Sequence, residues 1–162
     1  MMKREGHNSP ERGQAMLEVA LLLPMLLLLA LGVIELGRYA YMGILVGNAA
    51  RAGAAYGAQS LPQSVDLIGI QTAADNDFQN GQNLSSLTVT SSVSCGCDSN
   101  GTVAPAVCST GSNVAAGTCT AGGHWVVMVS VTASGSFSSL FKYPGIPSPF
   151  SISKTATLRV GQ

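Results

Sequence analysis

Four cysteines and one isolated carboxylate are the residues of this sequence whose type and spacing can do chemistry. Cys95, Cys97, Cys108 and Cys119 fall in one Gly/Ser/Thr-rich stretch. Outside the cytoplasm, cysteines grouped in a loop with little core of its own form disulfides. Four cysteines allow three pairings, and sequence alone does not choose among them. A Cys-x-Cys pair rarely bridges to itself comfortably, so Cys95 and Cys97 are each expected to partner Cys108 or Cys119. The gaps of one, ten and ten residues are not the Cys-x-x-Cys-type spacing of a zinc site, so no metal is expected. The carboxylate is Glu18, which stands at the threshold of an apolar run and is followed by no charge until Glu35. A charge at or inside a membrane segment is expensive and marks a functional position.

Catalytic patterns are missing from the sequence. It has no phosphate-binding Gly-rich loop, no Gly-x-Ser-x-Gly and no His-Glu-x-x-His. His7 lies among the first residues and His124 at the start of a strand pattern. Asp75 and Asp77 are spaced as in a calcium loop, but the closing position, Ser86, is no glutamate. No enzyme activity and no cofactor are expected. Charged residues make up 10% of the chain with zero formal net charge, which excludes the basic patch that nucleic-acid binding needs.

These residues must be positioned by helices and strands legible in the pattern. A bilayer core about 30 Å thick needs roughly 20 helical residues, and residues 14–34 supply that length. The run is apolar all round, unlike the one-sided stripe of a surface helix. Lys3, Arg4 and Arg12 precede it and Arg38 and Arg51 follow it. Excess Lys/Arg marks the cytoplasmic side, so the N-terminus is expected inside and the C-terminal part outside. Pro24 cannot donate to Ala20 and should loosen the helix. Glu35 and Arg38 are three apart, share a face and can pair, either as an interfacial anchor or as a contact between subunits. The helix should continue beyond the membrane, since no proline interrupts it before Pro62. Gly43 and Gly47, Ala49 and Gly53, and Gly53 and Gly57 are each four apart, a spacing that lets helices approach closely.

The outer part is α+β by pattern. Residues 63–78 follow a helical period, with Asn80-Gly81 as a stop. Residues 84–93, 125–132 and 150–160 read as strands, and 143–149 as a turn-rich connector. The expected architecture is a long N-terminal transmembrane helix extending outward, then a small domain with a short helix and a three- to four-stranded antiparallel sheet. The divisions are a leader at 1–13, the span at 14–35, a helix extension at 36–61 and an exported domain at 62–162 with a cysteine-containing loop at 95–119. Roughly 125 residues follow the span region, enough for one modest core.

Three separated blocks, Gly13-Gln14-Ala15-Met16-Leu17-Glu18, Gly32-Val33-Ile34-Glu35-Leu36-Gly37-Arg38 and Asn48-Ala49-Ala50-Arg51-Ala52-Gly53, resemble in order the N-terminal signature of TadE-like proteins. These are pseudopilin-like components of the tight-adherence (Flp) type IV pilus apparatus. The resemblance covers roughly residues 10–58. It implies a leader cut between Gly13 and Gln14 by a prepilin peptidase, before the apolar helix rather than after it as in a secretory signal peptide. It also implies that the mature protein is a minor pilin or pseudopilin, single-pass in the bacterial inner membrane, with its C-terminal domain extracytoplasmic and an extracellular pilus as a further location. Its partners would be other pilin-like subunits, the pilus inner-membrane machinery and membrane lipid, with no nucleic acid. Val19 in place of an aromatic, and the large outer domain, argue against the major subunit. The alternative is a membrane-anchored exported binding or adhesion module that is not incorporated in a pilus.

Overall fold

The computed structural model describes residues 11–78, 87–109, 114, 117–119, 122–140 and 149–161. Helix α1 runs Glu11–Gly57 and continues through Pro24. It is followed by a short α2 (Leu61–Ser64), α3 (Leu67–Phe78) and four strands: β1 (Leu87–Ser99), β2 (Thr102–Ala106), β3 (His124–Phe137) and β4 (Phe150–Arg159). The chain forms two compact units that meet in sequence between Arg38 and Tyr39.

The first unit is the N-terminal part of α1. Its large apolar side chains, from Met16 through Leu29 and on to Val33, Ile34 and Leu36, are each at least half exposed. Exposed apolar surface of that extent is the kind that lipid or other helices cover. By length and composition α1 can cross a membrane, consistent with single-pass anchoring.

The second unit is built on an antiparallel sheet in the order β2-β1-β3-β4. In β3 strict alternation sends Val127, Val129, Val131, Ala133 and Phe137 into the core, where each is essentially inaccessible. Beyond Met128 the outer face is a lattice of hydroxyls, because the residues between the later core positions are Ser130, Thr132, Ser134 and Ser136. Across β3 and β4 these pair directly: Ser130 with Thr157 and Thr132 with Thr155 at 2.8 Å, and Ser134 with Ser153 at 3.1 Å. The core is closed by α1, which buries Met42, Val46, Ala49, Ala50 and Ala54, and by α3, which buries Ile70, Ala74 and Phe78. Tyr39 packs with Phe137 and Phe150 at ring-centroid distances of 6.2 and 5.5 Å, so the first residue of this unit is held at the strand ends.

Two elements differ in detail from the pattern reading. The helix expected over 63–78 is split, because Ser60 caps α2 and Asp66 starts a new helix by accepting from Gly69 N at 3.0 Å. The strand expected to end near Val93 runs on to Ser99, so Cys95 and Cys97 belong to β1 itself, and the stretch 95–119 contains β2. Asn100 and Gly101, both with positive φ (52° and 82°), make the tight β1–β2 hairpin that favours Asn-Gly. The leader residues 1–10, Asn80-Gly81, the start of the 84–93 strand and the connector from 143 to 148 lie outside the described residues.

The glycines of α1 are not equivalent. A Cβ at Gly53 would lie 3.1 Å from the Ile70 carbonyl oxygen and 3.2 Å from Val131 Cγ1, whereas one at Gly47 would meet only the Lys154 stem at 3.9 Å. Gly53→Leu is therefore expected to destabilise the domain by about 1–3 kcal/mol through overpacking. Gly47→Ala should be neutral or stabilising by up to about 1 kcal/mol, since alanine is the better helix former. Thermal unfolding of the full-length protein, followed by far-UV circular dichroism, separates the two.

Candidate functional site

The residues expected to be processed and to set register sit on the first unit. Gly13 opens onto free space on the side a Cβ would occupy, so among the described residues nothing shields the Gly13–Gln14 bond there. Gln14 and Glu18 are both exposed and four apart, on one face of α1. Pro24 lies within the apolar run. Glu35 accepts from Arg38 Nη1 at 3.1 Å, with the Glu35 side chain 15% exposed and Arg38 29%.

The small residues of α1 divide by role. Ala49, Gly53 and Gly57 are buried, and the two glycines lie against Ile70 of α3 and the Val131 and Val129 side chains of β3. Gly43 and Gly47 are only half-buried and lie beneath Lys154 of the edge strand β4. The Lys154 position points to the core face of the sheet, opposite Ala133. Its stem crosses Gly47 at Cγ and Gly43 at Cε. The missing Cβ atoms give the alkyl chain a bed while the ammonium reaches water. Beside it is a groove of about 380 Å³ walled by Tyr39, Ile44 and Ile152, with Asn48 and Arg51 along the helix. Among the described residues that line it, Arg51 and Lys154 carry its charge and none is a carboxylate.

At the other edge of the sheet the four cysteines are all consumed, as Cys95–Cys108 and Cys97–Cys119, with Cα–Cα distances of 5.1 and 5.7 Å. Cys95 faces the core and Cys97 follows on the same side of β1. The first disulfide ties the strand following the hairpin to β1, and the second ties down the chain approaching β3. Trp125 supports this segment, donating from Nε1 to the Val114 carbonyl at 3.3 Å and packing its indole where a side chain on Gly117 would have to go. Sequence alone leaves the pairing open; the hairpin, which Asn100-Gly101 signals, is what brings Cys108 back beside Cys95.

One polar constellation was not anticipated. Tyr56 donates to Asp66 Oδ2 at 2.9 Å, and Asp66 Oδ1 accepts from Gly69 N, so one carboxylate joins the end of α1 to the start of α3. The Gly69 N–H, and after it the Tyr56 hydroxyl, hold the Asp66 carboxyl below its usual range. The hydrogen bond to Asp66, then burial and the carboxylate's charge, push the Tyr56 phenol up. An Asp directly before an apolar helical run was the available signal. Among the described residues no cluster of His, Cys, Asp and Glu is arranged to hold a metal ion.

The geometry defines a class first: a small disulfide-bonded α+β domain carried on a helix whose exposed apolar N-terminal part can cross a membrane. Residues 13–55 match the family model described as TadE-like protein, in agreement with the resemblance carried by the three sequence blocks. The matched segment is α1 almost to its end, and the match points to a protein associated with the Tad pilus. No curated protein and no solved structure matches the chain.

Two outcomes follow from these contacts. Thiol labelling of the denatured, unreduced protein should find no free cysteine, and Cys97→Ala should expose Cys119 alone while Cys95–Cys108 persists. Loss of one bridge is expected to lower stability by about 3 kcal/mol on the loop-closure scale, read by denaturant titration. For pH, a carboxyl lowered by folding contributes stability above its unfolded value of 3.8 that is lost as pH falls through the folded value. The raised Tyr56 contributes below 10.0 and loses its contribution as pH rises through the folded value. Asp66→Asn keeps a capping oxygen but should flatten the acid limb of the unfolding temperature measured between pH 2.5 and 7.

Proposed function

We propose that this chain is a minor pilin or pseudopilin acting in assembly of a tight-adherence (Flp) type IV pilus, anchored in the bacterial inner membrane with its N-terminus cytoplasmic. The observation that carries the reading is the coincidence of the TadE-like match with a single long helix, Glu11–Gly57, that contains the expected processing site in its first turn. That helix leaves its apolar N-terminal surface open to other helices or lipid. On this reading a prepilin peptidase cuts between Gly13 and Gln14, and the apolar helix stays on the mature protein. The new amine of Gln14 and the Glu18 carboxylate, one turn apart, then form a charge pair within the chain or with a neighbouring subunit. A buried pair of this kind selects the correct register rather than adding bulk stability. Prepilin peptidase, other pilin-like subunits and the inner-membrane machinery are the partners it implies.

The experiment is N-terminal sequencing of the mature protein together with fractionation of sheared pili. A mature N-terminus at Gln14 is expected, and Gly13→Val should leave the leader in place because a branched side chain obstructs the peptidase at the backbone. A mature N-terminus beyond residue 34 would reject the reading. Glu18→Leu is expected to be inserted and at least partly cleaved but to support pilus formation poorly. Normal piliation by fully cleaved Glu18→Leu would remove Glu18 from the mechanism. A cleaved protein that never appears in sheared pili, with piliation intact in its absence, would favour an anchored binding module.

A further inference from the structure

Charge in the second unit is sparse and oddly distributed. Asp98 is paired with Arg159 at 3.3 Å, and Asp66 is held by Tyr56 and Gly69. Among the described residues of this unit, Arg51 and Lys154 are left without an ion-pair partner, and so are Asp75 and Asp77. The two cations share the groove between α1 and β4. The two carboxylates are exposed in the last turn of α3, beside the buried Ala74 and Phe78.

That placement of Asp75 and Asp77 is unfavourable in an isolated chain. The C-terminal end of a helix carries a partial negative charge, and cations rather than anions are stabilising there. The last turn of α3 contains no basic residue. The groove has the opposite imbalance: among its described lining residues are two cations and the Asn48 amide, and no carboxylate. Gly43 and Gly47 are covered by the Lys154 stem, so what the groove offers an incoming acidic side chain is its two cations rather than bare helix backbone.

The two patches cannot meet within one chain. The groove lies over β4, at one edge of the order β2-β1-β3-β4. Helix α3 lies over β1, where Gln71 Nε2 donates to the Val89 carbonyl, and β3 separates the two strands. Complementary patches on opposite sides of a subunit generate a heterologous, head-to-tail contact that repeats from copy to copy. We propose that the groove between α1 and β4 receives the acidic end of α3 from a second copy of this chain. Arg51 and Lys154 of one copy then neutralise Asp75 and Asp77 of the next. The inference goes beyond the pilus reading and stands without it, since such a row of copies can form in the membrane or in a fibre.

The test uses full-length protein in neutral detergent, mixed in equal parts from unlabelled and 15N-labelled copies and treated with a carbodiimide, which joins a touching carboxylate and amine without a spacer. A Lys154–Asp75 or Lys154–Asp77 isopeptide is expected in mixed-isotope pairs, which only a contact between copies produces. Arg51→Glu should reduce its yield roughly tenfold or more, since a like charge at a docking surface is strongly disfavoured. Raising the salt to about 1 M, where the screening length falls to about 3 Å, should also weaken the link. An Arg51→Glu/Lys154→Glu copy and an Asp75→Lys/Asp77→Lys copy should each sediment as the smaller species alone and associate when mixed. Absence of the link, links confined to same-isotope pairs, or a yield indifferent to Arg51→Glu overturns the proposal. So does protection of Lys154 from acylation by added phosphatidylglycerol with no link between copies, which would assign the groove to a lipid phosphate. None of these outcomes depends on leader cleavage, so failure here and failure of the pilus reading are read separately.

Discussion

The close approach of α1 to the core face of the sheet is the contact on which the C-terminal α+β domain depends. Gly53 and Gly57 bring the helix backbone within van der Waals reach of Ile70, Val129 and Val131. Ala49, Ala50 and Ala54 fill the same stripe and are wholly buried. Larger side chains at these positions would push the helix away from the sheet and open voids around the β3 valines. The same helix is bare and apolar in its first half and packed against the sheet in its second. Its small residues begin where the need changes from covering apolar surface with lipid to packing against protein.

Much of this was legible because it rests on period and composition. The apolar run marked the first half of α1. Alternation around Val127, Val129 and Val131 marked β3, and Gly/Ala spacing marked the packed part of the helix. What escaped reading depends on contacts between distant residues. Asp66 looked like one polar residue inside a helical pattern, yet as a cap it breaks that pattern in two and binds Tyr56 ten positions away. Arg51 was visible as part of a motif and Lys154 as a strand residue. Their groove exists only once β4 lies over Gly43 and Gly47. Asn100-Gly101 carried a hairpin signal in plain view, masked by the cysteines around it.

The disulfides serve a region that hydrophobic burial serves poorly. Strand β2 is exposed along nearly its whole length, and the residues leading to β3 offer few apolar side chains. Val114 is buried there beneath the reach of Trp125. Two covalent ties and one indole therefore do what a core does elsewhere, restricting the unfolded chain more than rewarding the folded one. The opposite edge has no such ties. There β4 presents a free strand, and an inward-pointing Lys154 is one of the devices that keep such an edge from pairing indiscriminately.

The outer face of the sheet has a consequence for where the protein can work. Its Ser and Thr side chains carry no charge and do not titrate near neutral pH. Along β3 and β4 their hydroxyls already satisfy one another. Water wets this hydroxyl stretch without counterions, and among the described residues charge on that face is confined to the Arg159–Asp98 pair at one end. A domain clothed this way presents the same surface in fresh water, in brine or against a mineral, while its few exposed ions alone register the change of medium.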